Sequence, residues 1–390
     1  MRILVADDDP TSLAILERKL SQWGYEVETA RDGDEAWAKF SAKPFPIIVC
    51  DWIMPGLTGP ELCRRIRHRK SSRYTHIIMV TSKTDTASSI EGLKAGADDY
   101  VGKPFDPAEL LARLQAGERQ LRLEDELANR VEELARANER MKRDLDAAAR
   151  VQQTLLPKKL PDLPSVDVAW RFRPCEELAG DILNVFLLTP RRLAFYLLDV
   201  SGHGVASALL AAGLSRVLTP FPPSVLVDDN GMPHAPSRVF ASLNREFPVS
   251  DATGGQYFTI LYGVLNLDSG VVIYGHAGHP HVILAPANGE PRRIGEGTVP
   301  VGFIPEMTYE NRTANLAAGD RLVIYSDGVT EAMNDHEEML GEERLLNYLS
   351  KSRKRPLDRV AEGIVKAAIA WSHRGNPEDD ISVLALEWKK

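Results

Sequence analysis

The first third of the chain alternates short apolar runs with amphipathic stretches. The continuous apolar runs are residues 3–6, 47–50 and 77–80. Such runs are typical of parallel strands that are buried on both faces. Between them apolar residues recur at helical spacing, as at Leu13, Leu16 and Leu20. Alternating strands and helices predict a doubly wound α/β domain over residues 1–116.

A heptad pattern follows over residues 117–156, where glycine and proline nearly vanish. Its a positions are Val131, Asn138, Leu145 and Gln152, and its d positions are Leu127, Leu134, Met141, Ala148 and Leu155. This spacing predicts a coiled-coil seam on one helix of about 40 residues. Asn138 at an a position favours a parallel homodimer. Few charges at the e and g positions leave a wider bundle open, and a single helix packed back on a domain is the other alternative.

The remaining residues, 157–390, change to a pattern dominated by strands. Apolar runs cover 193–198, 258–265, 271–274 and 321–325, with glycine-rich turns between them. Two helical patterns, 206–218 and 359–370, interrupt the strands. This order predicts an α+β domain in which two sheets form a sandwich with helices outside.

Composition excludes several classes of protein. With 44% hydrophobic and 26% charged residues, the 390-residue chain is typical of a globular protein rather than a disordered one. Its formal charge of -8 argues against nucleic acid or an anionic membrane as a partner. No apolar run reaches the ~18 residues of a membrane span. Three dispersed cysteines argue against a disulfide framework and a zinc site, so we expect a cytoplasmic protein.

Each of several predicted strands in the first domain is followed by a residue that suits phosphoryl chemistry. These residues are Asp7, Asp8 and Asp9, then Asp51, Thr81 and Lys103. Open α/β sheets form their sites at these carboxyl ends, and clustered carboxylates favour Mg²⁺. A magnesium ion beside Asp51 would direct a phosphoryl group onto it, with Lys103 and Thr81 holding the oxygens. Helix capping explains any one acid, but not four positions in register.

The segments around these residues resemble the CheY-like receiver domains of two-component response regulators. The matching segments are Ile-Leu-Val-Ala-Asp7-Asp8-Asp9-Pro, Cys-Asp51-Trp-Ile-Met-Pro-Gly, Val-Thr81-Ser and Asp-Asp-Tyr100-Val-Gly-Lys103-Pro-Phe. The resemblance implies a (βα)5 fold, a histidine kinase as phosphodonor, and Asp51 as phosphoacceptor. It implies that Asp7, Asp8, Asp51 and the Ile53 carbonyl serve the Mg²⁺. It also implies that Thr81 and Tyr100 move on phosphorylation and that the Lys103–Pro104 bond is cis.

Aspartates also border apolar strands in the last domain. They are Asp181, Asp199, Asp327 and Asp379, the last followed by Asp380. Carboxylates this far apart in sequence can meet only in the fold, and adjacent glycines (Gly180, Gly202 and Gly328) allow close backbone approach. Such a cluster suits two hard metal ions that share an activated water for attack on phosphorus. His203, His276 and His279 are candidate acids or ligands, with a purely structural role as the alternative.

From Ala147 onward the sequence resembles the PPM-type serine/threonine phosphatases of the SpoIIE/RsbU-like branch. The matching segments are Ala-Arg150-Val-Gln-Gln-Thr-Leu-Leu-Pro157, Leu-Ala-Gly-Asp181, Asp199-Val-Ser-Gly-His-Gly, Gly-His-Ala-Gly-His279-Pro, Tyr-Ser-Asp327-Gly-Val-Thr-Glu-Ala and Asp379-Asp-Ile-Ser. The resemblance implies two Mn²⁺ or Mg²⁺ ions bridged by Asp199, with help from the Val200 carbonyl. Asp327 and Asp379 would complete the coordination of one ion, and Asp181 would bind the other. The catalytic group would be a metal-bound water held by Asp199.

This sequence departs from the phosphatase pattern at two positions. Ala179 stands where the family usually has glycine, and Asn184 where it usually has an acid. The neutral Asn184 is expected to weaken the second metal site.

Together the two resemblances imply a receiver (1–116), a coiled-coil linker (117–156) and a phosphatase domain (157–390). The implied function is a response regulator that dephosphorylates phosphoserine or phosphothreonine on a protein, under control of Asp51. An anti-anti-sigma protein with a STAS domain is the implied substrate. The alternative is a phosphorylation-controlled adaptor whose phosphatase-like domain is weak or inactive and holds a regulatory partner.

Overall fold

The computed structural model describes residues 1–69, 74–82, 91–158, 160, 162–221, 224–249, 255–375 and 377–390, except for the side chain of residue 374. The chain forms two compact units, Met1–Arg140 and Met141–Lys390. We call them the N-terminal unit and the C-terminal unit. In the described part of the chain, no helix combines the length and the apolar character that a membrane crossing requires.

The N-terminal unit is the predicted doubly wound α/β domain. Its strands are β1 (Arg2–Ala6), β2 (Glu26–Ala30), β3 (Ile47–Asp51), β4 (His76–Thr81) and β5 (Asp99–Gly102). Its first helices are α1 (Pro10–Gln22), α2 (Gly33–Ala42) and α3 (Gly59–His68). The sheet is parallel with the order β2-β1-β3-β4-β5. Successive side chains of β1 enter different apolar clusters, Leu4 on one face and Val5 on the other, so the central strand is buried on both sides.

A helix of 47 residues, α4 (Pro107–Gln153), follows the sheet. It begins ten residues before the predicted linker because Leu110 and Leu114, in its first turns, are fully buried against the sheet. The last helix of the α/β unit therefore continues without a break through the expected boundary at residue 116. At 1.5 Å per residue this helix is about 70 Å long.

The middle of α4 leaves its heptad residues in solvent. The side chains of Leu127, Val131, Leu134 and Met141 are each more than half exposed in the single chain. Ion pairs such as Glu126–Arg130 (3.2 Å) support the exposed helix at the i,i+4 spacing. The heptad interpretation is wrong for Gln152 and Leu155, because Gln152 bonds to Ala179 and Leu155 packs against an apolar cluster within the C-terminal unit.

The C-terminal unit is the predicted sandwich of two antiparallel sheets. One has the order β13-β10-β9-β8-β7 and the other the order β12-β11-β14-β15-β6. The first sheet contains β7 (Ile182–Thr189), β8 (Arg192–Val200), β9 (Phe258–Asn266), β10 (Val271–Ala277) and β13 (Arg312–Asn315). The second contains β6 (Val166–Arg173), β11 (Val282–Ala285), β12 (Arg292–Ile294), β14 (Arg321–Tyr325) and β15 (Ile381–Trp388).

Helices cover the outer faces of both sheets. The helices are α5 (Val205–Val217), α6 (Pro236–Glu246), α7 (Asp327–Thr330), α8 (Gly341–Lys351) and α9 (Leu357–Trp371). The sequence pattern predicted α5 and α9 but not α6 and α8. Leu197 and Ile324 belong to the core between the sheets, whereas Leu198 packs toward α5 and Val323 toward α9. The period-2 alternation of each strand thus divides its apolar residues between an inner and an outer core.

Candidate functional site

Three carboxylates of the N-terminal unit meet at the carboxyl end of its sheet. Ligand atoms of Asp7, Asp8 and Asp51 lie within 4.8 Å of one another, and we call this group the N-terminal acidic cluster. Lys103 contacts two of them, with its Nζ 2.7 Å from Asp7 Oδ2 and 2.9 Å from Asp51 Oδ2. One ammonium group against three carboxylates leaves an excess of negative charge in the cluster.

Burial increases the cost of that excess charge. Asp7 is 1% exposed, and its burial raises the pKa of its carboxyl above the ordinary value despite the hydrogen bond from Lys103. Burial alone would lower the pKa of Lys103, but its hydrogen bonds to Asp7 and Asp51 outweigh burial and raise it. A hard divalent cation fits this oxygen-only donor set.

The other predicted residues of this site surround the cluster. Thr81 is buried at the end of β4, and its carbonyl accepts a hydrogen bond from the Lys103 amide (2.6 Å). The side chains of Tyr100 and Ile53 are exposed, and the Lys103–Pro104 bond is cis, as the resemblance implied. Asp9 has a different role, since it caps α1 by accepting hydrogen bonds from the amides of the second and third residues of the helix.

In the C-terminal unit each sheet contributes two of the predicted aspartates. Asp199 is the penultimate residue of β8, and Asp181 directly precedes the neighbouring strand β7. In the second sheet, Asp327 begins α7 just after β14, and Asp379 precedes the paired strand β15. In an antiparallel pair the end of one strand lies beside the start of the next, so each pair of aspartates shares one edge. We call these four residues the C-terminal acidic centre.

Two glycines allow the backbone to approach closely around this centre. A Cβ at Gly180 would lie 2.7 Å from the Val200 carbonyl oxygen, and one at Gly328 would lie 2.2 Å from the Asp380 carbonyl oxygen. The expectation of close approach is wrong for Gly202, whose nearest neighbour would be Ser207 Oγ at 3.8 Å. Glycine suits that position because its φ is +82°.

Asp380, which the sequence analysis noted only as a neighbour, links the two sheets. Its carboxylate accepts hydrogen bonds from the amides of Cys175 (2.9 Å), Gly180 (2.7 Å) and Asp181 (3.3 Å). Asp380 therefore holds the segment that carries Asp181 against the start of β15. Only the tertiary structure reveals this role, because nothing in a pair of adjacent aspartates tells which one bonds to the backbone.

The charges of the four aspartates act on one another. Burial, followed by the charges of Asp327 and Asp379, raises the pKa of Asp199 well above its ordinary value. Burial and the charge of Asp199 do the same for Asp181. Burial, followed by Asp379 and Glu331, raises the pKa of Asp327 to about 6. Glu331, a residue that the sequence analysis did not single out, thus adds a further negative charge.

Asp181 gives the clearest indication that a cation belongs here. Its carboxylate is 1% exposed, and neither oxygen has a hydrogen-bond partner in the described part of the chain. The Ser382 and Ser326 hydroxyls are near enough to lower its pKa slightly, but neither bonds to it. An uncompensated buried carboxylate costs several kcal/mol, so these oxygens fit metal coordination.

The three candidate histidines differ in environment. Burial lowers the pKa of His276 to about 4 and that of His279 to about 3, so both rings are neutral at pH 7. His279 Nδ1 lies 2.9 Å from the Thr259 hydroxyl, and Thr259 pairs with Asp199 across β8 and β9. His203 is exposed at the edge of the centre, with its Nδ1 3.1 Å from Glu176 Oε1.

The two departures from the phosphatase pattern have defined surroundings. Ala179 is fully buried, and its backbone exchanges two hydrogen bonds with the Gln152 carboxamide, at 2.6 and 3.1 Å. The side-chain oxygen of Asn184 accepts a hydrogen bond from the Val185 amide (2.8 Å). The end of α4 is thus fixed to the segment that leads into Asp181.

Cys175 also lies at this centre, with a ligand atom within 4.8 Å of ligand atoms of Asp379 and Asp380. Burial, followed by the charge of Asp380, raises the pKa of its thiol to about 12. The thiol is therefore protonated at neutral pH when no metal is bound.

Each unit matches the model of a known protein family. Residues 189–389 match the family model described as "Stage II sporulation protein E (SpoIIE)", and residues 3–115 match that of the response regulator receiver domain. Among curated proteins, the chain is 39% identical over 115 residues to the phosphate regulon transcriptional regulatory protein PhoB of Rhizobium meliloti. That match covers 30% of this chain and 51% of PhoB, so it spans about half the length of that relative.

Two solved structures share the fold of the C-terminal unit. The SiaA-PP2C domain of Pseudomonas aeruginosa is 16% identical, with a TM-score of 0.56 over 65% of this chain and 99% of that one. The RsbU and RsbW domains of Rv1364c from Mycobacterium tuberculosis are 23% identical, with a TM-score of 0.51 over 60% of this chain and 63% of that one. At these identities the likeness establishes the fold alone.

Proposed function

The chain belongs to the SpoIIE family of PPM-type phosphatases and carries a response regulator receiver domain. We therefore propose that it is a phosphorylation-controlled protein serine/threonine phosphatase. The observation that carries the proposal is the C-terminal acidic centre. In it the buried carboxylate of Asp181, which has no hydrogen-bond partner in the described part of the chain, feels the charge of Asp199. A domain that only held a partner would have no need to keep such a costly arrangement of charge.

Each residue of the centre has a role in the proposed reaction. Asp199, the Val200 carbonyl, Asp327, Asp379 and Asp181 are the residues that would hold two Mn²⁺ or Mg²⁺ ions. Asp199 would serve both ions, Asp327 and Asp379 one of them, and Asp181 the other. When bound, the ions supply Lewis-acid stabilisation and a water of lowered pKa as the nucleophile. Asp380 positions the backbone of Asp181 through three amide hydrogen bonds.

His203 is the proposed proton donor to the leaving oxygen of the substrate. It is the exposed histidine of the three, and its charge affects the pKa of Asp379 at the centre. Glu176 contacts Nδ1 and so orients the ring. His276 and His279 are buried and neutral, which suits a structural role.

The first test is metal dependence. We expect the full chain with Mn²⁺ to hydrolyse p-nitrophenyl phosphate, and chelation to reduce the rate to that of the metal alone, because the carboxylates cannot activate water without the ions. Release of p-nitrophenol measures the rate. A wild-type chain that is no faster than Mn²⁺ alone would contradict the proposal and favour the adaptor alternative.

We propose Asp51 as the phosphoacceptor and a histidine kinase as the donor. Asp7, Asp8, Asp51 and the Ile53 carbonyl would hold Mg²⁺. Lys103 and Thr81 would bind the phosphoryl oxygens, and Thr81 and Tyr100 would respond to the phosphoryl group. The donor set of the N-terminal acidic cluster supports this assignment.

Helix α4 is the proposed route from receiver to phosphatase. Its first turns pack on the receiver sheet, and its last turn bonds to the segment before Asp181 through Gln152. The exposed apolar residues between, Leu127, Val131, Leu134 and Met141, support pairing of two chains in a parallel coiled coil.

Beryllofluoride, which mimics the phosphoryl group on Asp51, is expected to change the phosphatase rate of the full chain. Asp51→Asn should remove this change while leaving the basal rate on p-nitrophenyl phosphate within about twofold, since Asp51 lies in the other unit. The test measures p-nitrophenyl phosphate hydrolysis by the wild type and by Asp51→Asn, each with and without beryllofluoride. A change that persists in Asp51→Asn would exclude this residue as the input.

The proposed substrate is a phosphorylated STAS-domain anti-anti-sigma protein, supported by membership of the SpoIIE family. We expect the enzyme to act in the cytoplasm, since its three cysteines are free, as suits a reducing compartment.

A further inference from the structure

The hydroxyl of Ser382 is buried at the C-terminal acidic centre without a hydrogen bond of its own. Ser382 is the second residue of β15 and is fully buried, and its Oγ has no partner among the residues that the structure describes. Buried polar side chains in proteins are almost always hydrogen-bonded, so an exception at a reactive centre calls for an explanation. The proposed set of metal ligands does not include this residue.

Strand alternation directs Ser382 and Asp181 into the same space between the two sheets. In β15, Leu384 and Leu386 belong to the inner core, and Ser382 continues that series toward the start of the strand. Leu183 of β7 also belongs to the inner core, and Asp181 lies two positions before it. Both side chains therefore face the interior of the sandwich at the edge where the aspartates meet.

Hydrogen bonds between the sheets keep the two residues close. Asp380, two positions before Ser382, accepts hydrogen bonds from the amides of Gly180 (2.7 Å) and Asp181 (3.3 Å). Burial and the charge of Asp199 raise the pKa of Asp181, whereas the Ser382 hydroxyl acts in the opposite direction, as a donor near a carboxylate does. A buried donor and a buried acceptor are thus neighbours, and within the described residues neither has a hydrogen bond.

The hydroxyl of a second serine at this centre, Ser326, is already engaged. Ser326 Oγ donates to the Asp380 carbonyl (3.0 Å) and accepts a hydrogen bond from the Ser382 amide (2.9 Å). The Ser326 amide in turn donates to the Ser382 carbonyl (3.0 Å). These bonds fix the backbone of Ser382, so its hydroxyl has only to rotate to reach an acceptor.

We propose that Ser382 is a positioning residue, whose hydroxyl donates to the Asp181 carboxylate and orients it toward the metal ion that Asp181 would hold. This inference rests on the proposed phosphatase function and extends it to a residue outside the proposed ligand set. Hydrogen bonds from neighbouring side chains orient the carboxylates that bind a metal and increase its affinity. Ser382 contributes to this metal site alone and does not touch the substrate.

The test measures the Mn²⁺ concentration that gives half-maximal hydrolysis of p-nitrophenyl phosphate by the full chain. Ser382→Ala should raise this concentration at least about tenfold, because loss of a partner of a metal ligand weakens metal binding by about 10–100-fold. The rate at saturating Mn²⁺ should stay within about twofold of the wild type, since the ion, once bound, supplies the same chemistry.

Calorimetric titration with Mn²⁺ gives a readout that does not depend on activity. In Ser382→Ala one site should weaken by the same factor as in the rate measurement. The other sites, including any at the N-terminal acidic cluster, should keep their affinity. Without metal, the thermal transition of the variant should stay near that of the wild type, because Ser382 Oγ has no hydrogen bond to lose within the described chain.

Two further variants serve as controls. Ser215 is also buried, but its Oγ donates to the Ala212 carbonyl (2.8 Å) within α5, so Ser215→Ala should bind Mn²⁺ as the wild type does. The double variant Asp181→Asn/Ser382→Ala should bind Mn²⁺ as Asp181→Asn alone does, because Ser382 acts through Asp181.

Three results would overturn the proposal: an Mn²⁺ affinity of Ser382→Ala within twofold of the wild type, an equal loss in Ser215→Ala, or a further loss in the double variant. A lower thermal transition of metal-free Ser382→Ala with unchanged Mn²⁺ affinity would make Ser382 a structural residue. A wild type that binds Mn²⁺ no better than Asp199→Ala and is inert on p-nitrophenyl phosphate contradicts the proposed function itself, which separates the two failures.

Discussion

Replacing Asp199 with alanine is expected to reduce the Mn²⁺-dependent hydrolysis of p-nitrophenyl phosphate about a thousandfold. Asp199 is the electrostatic link of the centre, because Asp327 and Asp379 raise its pKa and it in turn raises that of Asp181. A carboxylate whose charge acts on both halves of the centre is the one whose loss is expected to affect both proposed metal sites.

Loss of activity in this variant should not come from unfolding. Removing one of several repelling buried carboxylates relieves the metal-free fold, so its thermal transition should stay at or above that of the wild type. Asp268→Ala is the control. Asp268 is an exposed residue of the turn between β9 and β10, and its carboxylate pairs only with the Arg191 guanidinium at 3.6 Å among the ion pairs of the described residues. Retention of a tenth or more of the wild-type rate in Asp199→Ala would contradict its proposed role. A tenfold loss corresponds to only about 1.4 kcal/mol of activation free energy, which is too small for a ligand of both metal ions.

The carboxyls of the C-terminal acidic centre are expected to lower the stability of the metal-free chain as the pH rises from about 4 to 8, and Asp181→Asn should remove part of that contribution. The pKa of Asp327 increases on folding from 3.8 to about 6, and those of Asp181 and Asp199 also increase. A carboxyl whose pKa is raised binds its proton more tightly in the folded state. At these carboxyls, raising the pH therefore favours the unfolded chain, and their contribution to stability is fully present only below about pH 4. The buried His276 and His279, whose pKa values folding lowers, contribute in the opposite sense in both the wild type and the variant.

At pH 8 without metal, Asp181→Asn should raise the free energy of unfolding of the C-terminal unit by about 1–3 kcal/mol, because it removes an uncompensated buried charge. In the wild type Mg²⁺ should restore stability at pH 8, and in the variant it should do so much less. Chemical unfolding followed at both pH values, with and without Mg²⁺, measures these effects.

Asp320→Asn provides the contrasting control for this prediction. Asp320 is buried too, but its carboxylate accepts hydrogen bonds from the amides of Ala287 (2.9 Å) and Ala317 (3.0 Å). Its replacement should destabilise the unit by about 1–2 kcal/mol at either pH. If Asp181→Asn destabilised the metal-free chain in the same way, Asp181 would be a structural residue rather than a metal ligand.

The apolar periodicity of the sequence predicts most of the fold, and the residues next to predicted strand ends are the candidate site residues. Continuous apolar runs predicted the parallel sheet, and aspartates at strand ends predicted the acidic cluster of Asp7, Asp8 and Asp51. The pattern failed where a residue's partner is distant in sequence. Gln152 fits a heptad as well as it fits a bond to Ala179, and only the fold distinguishes the two.

The sequence by itself determined the two families, the order of the units and the identity of the acids, because these depend on local patterns and on motifs of adjacent residues. Only the tertiary structure decided which acids meet. It also decided that Asp380 holds the backbone, while the Asp181 carboxylate has no hydrogen-bond partner among the described residues. The reason is physical: burial and charge interaction depend on distances between segments, and the pairing of strands up to about 200 residues apart, as in β15 with β6, sets those distances.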